Sequence, residues 1–212
     1  MKQHKKINIK KIAIILIFII IILVAVFFGY KYLRKDKLSY YEEKMIEYGL
    51  AEKYNNGTPN DEDNVTKSEA VKMIVEVILN GDDIYNYTQN YGDDFYSNIP
   101  YAIYAFKLNL IDYDYITVDT ENENILLIDA ISILYKSKNS AFINKEKVQK
   151  EVEDENITIK YMDKYSQKEI DVITDLISYG ILPNKFNYKK DQLLTKKIFN
   201  EMLVKFVEKF WI

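Results

Sequence analysis

The chain has 212 residues, no cysteine, one histidine and a formal net charge of −3. Without cysteine there is no disulfide, no thiolate metal site and no cysteine nucleophile. The charge is split: residues 1–37 carry nine Lys/Arg against Asp36, +8, which leaves −11 on residues 38–212 and no electrostatic footprint for nucleic acid.

The run from Ile12 to Phe28 contains no charged, polar or helix-breaking residue. At helical rise its seventeen residues cover about 26 Å, and Gly29 and Tyr30 extend it toward the roughly 30 Å of a hydrocarbon core. Lysines flank it on both sides: Lys2, Lys5, Lys6, Lys10 and Lys11 before, Lys31, Lys35 and Lys37 with Arg34 after. A cleaved leader would be shorter and end at small residues. Bulky Phe27, Phe28 and Tyr30 stand there instead, so an uncleaved signal anchor is expected, with Tyr30 and Tyr32 at the interface. The expected organisation is a cytoplasmic basic tail (1–11), a transmembrane anchor (12–30), a basic linker (31–37) and a domain (38–212). That is a single pass of the cytoplasmic membrane, N-terminus inside and domain outside; both flanks are basic, so the tail's shortness decides the orientation.

Next comes a helix opened by the capping box Ser39-x-x-Glu42 and ending at Gly49-Leu50. After the polar loop Asn55–Asn64, Thr66 and Glu69 form a second box, with Val65 and Ala70 placed as a hydrophobic staple. Ala70, Met73, Ile74, Val77 and Ile78 then recur at the spacing of one buried helix face.

The pattern returns twice. In the middle, Pro100 sits near a helix start, followed by Tyr101, Ile103, Tyr104, Phe106 and Leu110. A loop over Asp114–Asn124 leads to Leu126, Asp129, Ala130, Ile133 and Leu134, where leucine at the cap position loses the box. Gly49 to Glu69 and Asn109 to Asp129 are both twenty residues apart, and Asn tolerates the left-handed region that Gly favours. Tyr113–Val118 could form a short extended piece, and the charged stretch Lys136–Lys160 reads as a solvated helix plus loop. In the last copy Ser166-x-x-Glu169 opens a helix through Ile170, Ile173 and Ile177 to Gly180, a left-handed C-cap with Ile181 packing back and Pro183 beyond. Leu194 and Thr195 then take the staple and cap positions ahead of Phe199, Met202, Leu203, Phe206 and Val207. Three helical pairs, each too small to fold alone, predict one stacked all-α domain with copies over about 38–82, 91–138 and 161–212.

These motifs resemble the S-layer homology family, whose repeat has a helix ending in a Gly-Leu/Ile turn, a polar loop and a T-R-A-E-type opening of a second helix. The matching residues are Gly49-Leu50 with Thr66-Lys67-Ser68-Glu69-Ala70, Leu110-Ile111 with Asp129-Ala130, and Gly180-Ile181-Leu182-Pro183 with Leu194-Thr195-Lys196. The resemblance implies three repeats packed pseudo-threefold that bind secondary cell-wall polysaccharide in the grooves between them. It implies a ligand set of Lys67, Glu69, Asp93, Asp129, Asp163 and Lys196. The family's arginine position holds Lys67, Leu127 and Lys196, and lysine lacks the planar fork that grips a carboxylate bidentately. Ile198 replaces the third motif glutamate.

Other chemistries are poorly supported. His4, the single histidine, lies in the tail, which rules out a His triad or zinc site in the domain. Asp61-Glu62-Asp63, Asp82-Asp83 and Asp93-Asp94 lack EF-hand spacing and read as solvated loop acids. No motif selects a carboxylate pair for glycoside hydrolysis, and no Gly-rich loop exists for phosphate. Tyr85, Tyr87, Tyr91, Tyr96, Tyr101, Tyr104, Tyr113 and Tyr115 suit either sugar stacking or semi-exposed core positions. The expectation is a non-catalytic protein without cofactor, its partners a bilayer and either wall polysaccharide or another envelope protein. A scaffold domain that keeps the fold without binding glycan is the alternative.

Overall fold

The computed structural model describes residues 39–50, 62–88, 99–138, 150 and 156–210. The expected anchor with Ile12, Phe28 and Tyr30 lies outside the described residues, as do Asp93 and most of the charged stretch between 136 and 160. Among the described residues no helix is long and apolar enough to cross a membrane. The chain divides into two compact units at Glu43/Lys44. In the first, Ser39 N–H donates to Glu42 Oε2 at 2.5 Å and Glu42 N–H donates to Ser39 Oγ at 3.3 Å, the capping box read from the sequence.

The structure is mainly helical: α1 (Tyr40–Glu47), α2 (Lys67–Leu79), the single turn α3 (Tyr85–Thr88), α4 (Ile99–Lys107), α5 (Leu127–Ser137), α6 (Gln167–Ser178) and α7 (Lys196–Phe210). Two-residue strands β1 (Thr158–Ile159) and β2 (Lys185–Phe186) pair in parallel, with Thr158 opposite Lys185. Tyr113–Val118 is not extended. Thr117 N–H donates to Thr120 Oγ1 at 3.0 Å and Glu121 N–H to Thr117 O at 2.9 Å, which winds the segment into turns. Side-chain-to-backbone bonds of this kind compete with strand pairing.

Three helices end alike. Gly49, Asn109 and Gly180 have φ of 69°, 56° and 76°. The amide of each donates to the carbonyl three residues back (Ile46, Phe106, Ile177), and the next amide donates five residues back (Leu50 to Met45, Leu110 to Ala105, Ile181 to Leu176). This is the Schellman arrangement, and Leu50, Leu110 and Ile181 are the buried residues that seal it.

The helices that follow form the core. Thr66–Glu69 and Ser166–Glu169 close full capping boxes at α2 and α6, whereas Leu126 gives α5 no side-chain cap bond. The predicted apolar face of α2 is buried, but so are Val71, Val75 and Leu79. One face would suffice for a peripheral helix; α2 packs against α4, α5 and α7 and is therefore enclosed. Phe199 and Phe206 of α7 are, with Phe186, the largest fully buried side chains among the described residues.

Candidate functional site

The segments that open α2, α5 and α7 meet one another. Val65 N–H donates to Leu194 O, Leu194 N–H to Ile125 O, and Ile125 N–H to Val65 O, at 2.9, 3.0 and 3.0 Å. The three bonds close a ring around Val65, Ile125 and Leu194, none of which is exposed to solvent. Each is the residue before its helix cap, the staple position. A second set runs around the ring: Lys67 N–H to Glu123 O, Leu127 N–H to Gln192 O, and Lys196 N–H to Asp63 O, each at 2.8–2.9 Å. The register is the same at all three junctions. The first residue of each helix donates to the residue three ahead of the next cap, so an otherwise orphaned helix amide is satisfied by a neighbouring segment.

Side chains follow that register. Lys67 Nζ lies 2.6 Å from Glu123 Oε2, and Lys196 Nζ lies 4.0 Å from Asp63 Oδ2. A first-turn lysine opposes the helix dipole, and the carboxylate from the adjoining segment offsets it. At the third junction the corresponding residues are Leu127 and Gln192, so lysine and acid are absent together. Sequence reading singled out Lys67 and Lys196 but missed Glu123 as a partner. The signal was available as an acid three residues ahead of a cap, legible only once the order of segments around the ring is known.

Lys67 also sits 5.3 Å from the centre of the Tyr115 ring, and the Tyr115 hydroxyl lies 3.3 Å from Asp129 Oδ2. Burial pushes both groups up, strongly for the Tyr115 phenol. For Asp129 the Tyr115 hydrogen bond and the charge of Lys67 oppose burial without cancelling it. Glu69 is committed to its cap, with Thr66 N–H donating to Oε2 at 2.9 Å. Asp163 is exposed and pairs with Lys164 at 3.0 Å. The structure thus brings Lys67 and Asp129 together, while Glu69, Asp163 and Lys196 serve separate local contacts.

The tyrosines divide as well. Tyr104 is buried against Tyr87, and Tyr101 donates to Glu76 at 2.5 Å. Tyr91 and Tyr96 lie outside the described residues; among the described ones Tyr113, 80% exposed, is placed for an external contact.

The junction lacking the ion pair has a cavity of about 580 Å³, lined by Leu126, Tyr161, Lys164, Lys189, Lys190 and Asp191. Local structure assembles it. Tyr161 has φ 60° and starts a 3₁₀ turn, Met162–Lys164, in which Lys164 N–H donates to Tyr161 O at 2.9 Å. That turn puts Tyr161 and Lys164 on one wall. The Tyr165 hydroxyl donates to Tyr188 O at 2.9 Å, and Tyr165 packs edge-on against Phe186, anchoring the chain just ahead of Lys189. Lys190 bonds Glu169 Oε2 at 2.8 Å. Burial alone would raise the Glu169 carboxyl, but the hydrogen bonds from Lys190 and from the Ser166 backbone and hydroxyl outweigh it and hold it low.

Among the described residues no group of acidic, histidine or cysteine side chains could hold a metal ion. No protein-family model, curated protein or solved structure matches this chain.

Proposed function

We propose that the chain is a non-catalytic envelope protein, tethered in the cytoplasmic membrane by residues 12–30 with its domain outside. In this reading three helix–loop–helix copies resembling S-layer homology repeats pack pseudo-threefold, and the domain binds cell-wall polysaccharide or bridges membrane and wall. The observation that carries it is the closed ring of backbone bonds, in one register at all three junctions, made by the segments that open the second helix of each copy. The three Schellman turns at corresponding places add to it.

A second reading, a protein-interaction scaffold of the same fold without glycan binding, is favoured by one specific feature. Lys67 and Lys196, the cations at the family's ligand position, both face carboxylates of the adjoining segment. Sedimentation of the full-length chain, kept in neutral detergent, with purified cell walls at low ionic strength tests the first reading. Wall-dependent pelleting that disappears when anionic polymers are stripped from the wall is the expected result. Pelleting no greater than that of an unrelated acidic protein rejects it in favour of the scaffold.

A further inference from the structure

The loop that follows α4 carries apolar surface that the core does not use. Tyr113 and Val118, the latter 70% exposed, are the most exposed large apolar side chains among the described residues. Phe106, in the last turn of α4, is 42% exposed, and Tyr113 folds back edge-on against it with ring centres 5.5 Å apart. Apolar residues scattered singly over a surface need no account, but an exposed stacked pair with a third on the same loop does. No described residue bonds the Tyr113 hydroxyl. The loop is nevertheless held in shape. Ile116 is buried, Lys67 lies over the Tyr115 ring, and Tyr115 N–H donates to Asp112 O at 3.2 Å. With the turn between Thr117 and Thr120, these contacts set the backbone in advance, so binding has little left to order. Charge selects the partner. Asp112 and Asp114 flank Tyr113 and Asp119 follows Val118; all three are exposed, and none pairs with a cation among the described residues. Lys107, the cation beside Phe106, donates to Tyr87 O at 2.9 Å.

We propose that Phe106, Tyr113 and Val118, with Asp112, Asp114 and Asp119 beside them, form a docking surface for a basic segment of a partner protein. The segment presents an aromatic or aliphatic side chain between lysines or arginines. Its apolar side chain lies on the Phe106–Tyr113 pair, where tyrosine joins a large contact area to a polar end. A guanidinium or ammonium over the Tyr113 ring gains from the ring's negative face, and the three carboxylates take the flanking charges. The same acids, in a domain of net charge −11, repel polyanions and anionic lipid, which leaves a cationic partner. The surface shares no residue with the three junctions, so it stands beside either reading of the domain.

Calorimetric titration of the full-length chain in neutral detergent tests this, with heats into protein-free micelles subtracted. The probe is the capped peptide Lys-Leu-Arg-Tyr-Arg-Leu-Lys. Its controls are the same peptide with serine for leucine and tyrosine, and the same peptide with glutamate for lysine and arginine. The probe is expected to bind about tenfold or more tightly than either control, and more weakly as salt is raised. Tyr113→Ser should lose about fivefold or more of that affinity. The triple variant Asp112→Asn, Asp114→Asn and Asp119→Asn should lose as much. Glu43→Gln with Glu62→Gln, exposed acids elsewhere, should leave it within about twofold. All the substituted side chains are exposed, and matching thermal melts confirm that the variants fold. No binding of the probe, equal binding of the serine peptide, or indifference to Tyr113→Ser overturns the proposal. So does a loss through the Glu43/Glu62 variant as large as that through the loop acids, which would mark attraction to net charge alone. A chain that pellets with walls yet fails these titrations loses the surface and keeps the wall reading. One that passes them without pelleting keeps the surface and loses the wall reading.

Discussion

Lys67 Nζ stands 2.6 Å from Glu123 Oε2, joining the first turn of α2 to the loop that leads into α5. The pair is only partly shielded, with the lysine side chain 20% and the glutamate 55% exposed. Its contribution is therefore that of a surface pair. A double-mutant cycle of Lys67→Ala and Glu123→Ala in denaturant melts should give a coupling of about 0.5 kcal/mol that shrinks toward zero at about 1 M salt. A coupling that persists unchanged in salt would contradict a Coulombic tie.

Glu69 acts through the backbone. Thr66→Ala removes the hydroxyl that caps α2 and should cost about 1 kcal/mol in urea unfolding. Glu69→Gln should cost far less, because glutamine also completes a capping box. If Glu69→Gln proves as damaging as Thr66→Ala, the carboxylate charge has a role beyond the cap.

Gly49 isolates backbone strain from packing. A Cβ there would meet nothing within 4 Å, yet φ is +69°. Gly49→Ala should therefore destabilise by about 1–2 kcal/mol with no change in m-value. Asn109→Gly, at the corresponding turn, should be neutral or slightly stabilising. Thermal or urea melts of the two variants decide both.

Two carboxylates give opposite pH behaviour. Burial raises Asp129, so its folded form holds a proton that the unfolded form has released, and its contribution to stability is lost as pH rises above the unfolded value. Glu169 is lowered, so its contribution is present above the unfolded value and lost as pH falls through the folded one. Asp129→Asn should improve stability relative to the parent more at pH 7 than at pH 3. Glu169→Gln should do the reverse. Urea melts across that range test the signs.

Much of the helical framework was legible in the sequence because its signals are local. A Thr or Ser three residues ahead of Glu, and a Gly or Asn before an aliphatic residue, specify caps whose bonds span three to five residues. Gly49 and Asn109 were matched by their twenty-residue spacing and Gly180 by the Ile181 and Pro183 that follow it, and all three have positive φ. The ring was not legible. Val65 and Leu194 read only as staple residues, Ile125 carried no signal, and pairing Val65 with Leu194 spans more than half the chain. Periodicity carries no information about such contacts. The same gap hid Glu123 and Asp63 as lysine partners, since nothing near Lys67 or Lys196 in sequence announces them. The cavity was missed for a third reason. Its lining comes from a turn at Tyr161–Lys164, where the resemblance marked only Asp163, and from a loop at Lys189–Asp191, which carries no motif.

Amide hydrogen exchange at Val65, Ile125 and Leu194 tests the closed ring most directly. If the three openings lock one another, these amides exchange slowly and together, with an opening free energy equal to that of global unfolding. If any one of them exchanges at the rate of an exposed loop while its helix stays protected, the ring is open in solution and the three-junction architecture is wrong.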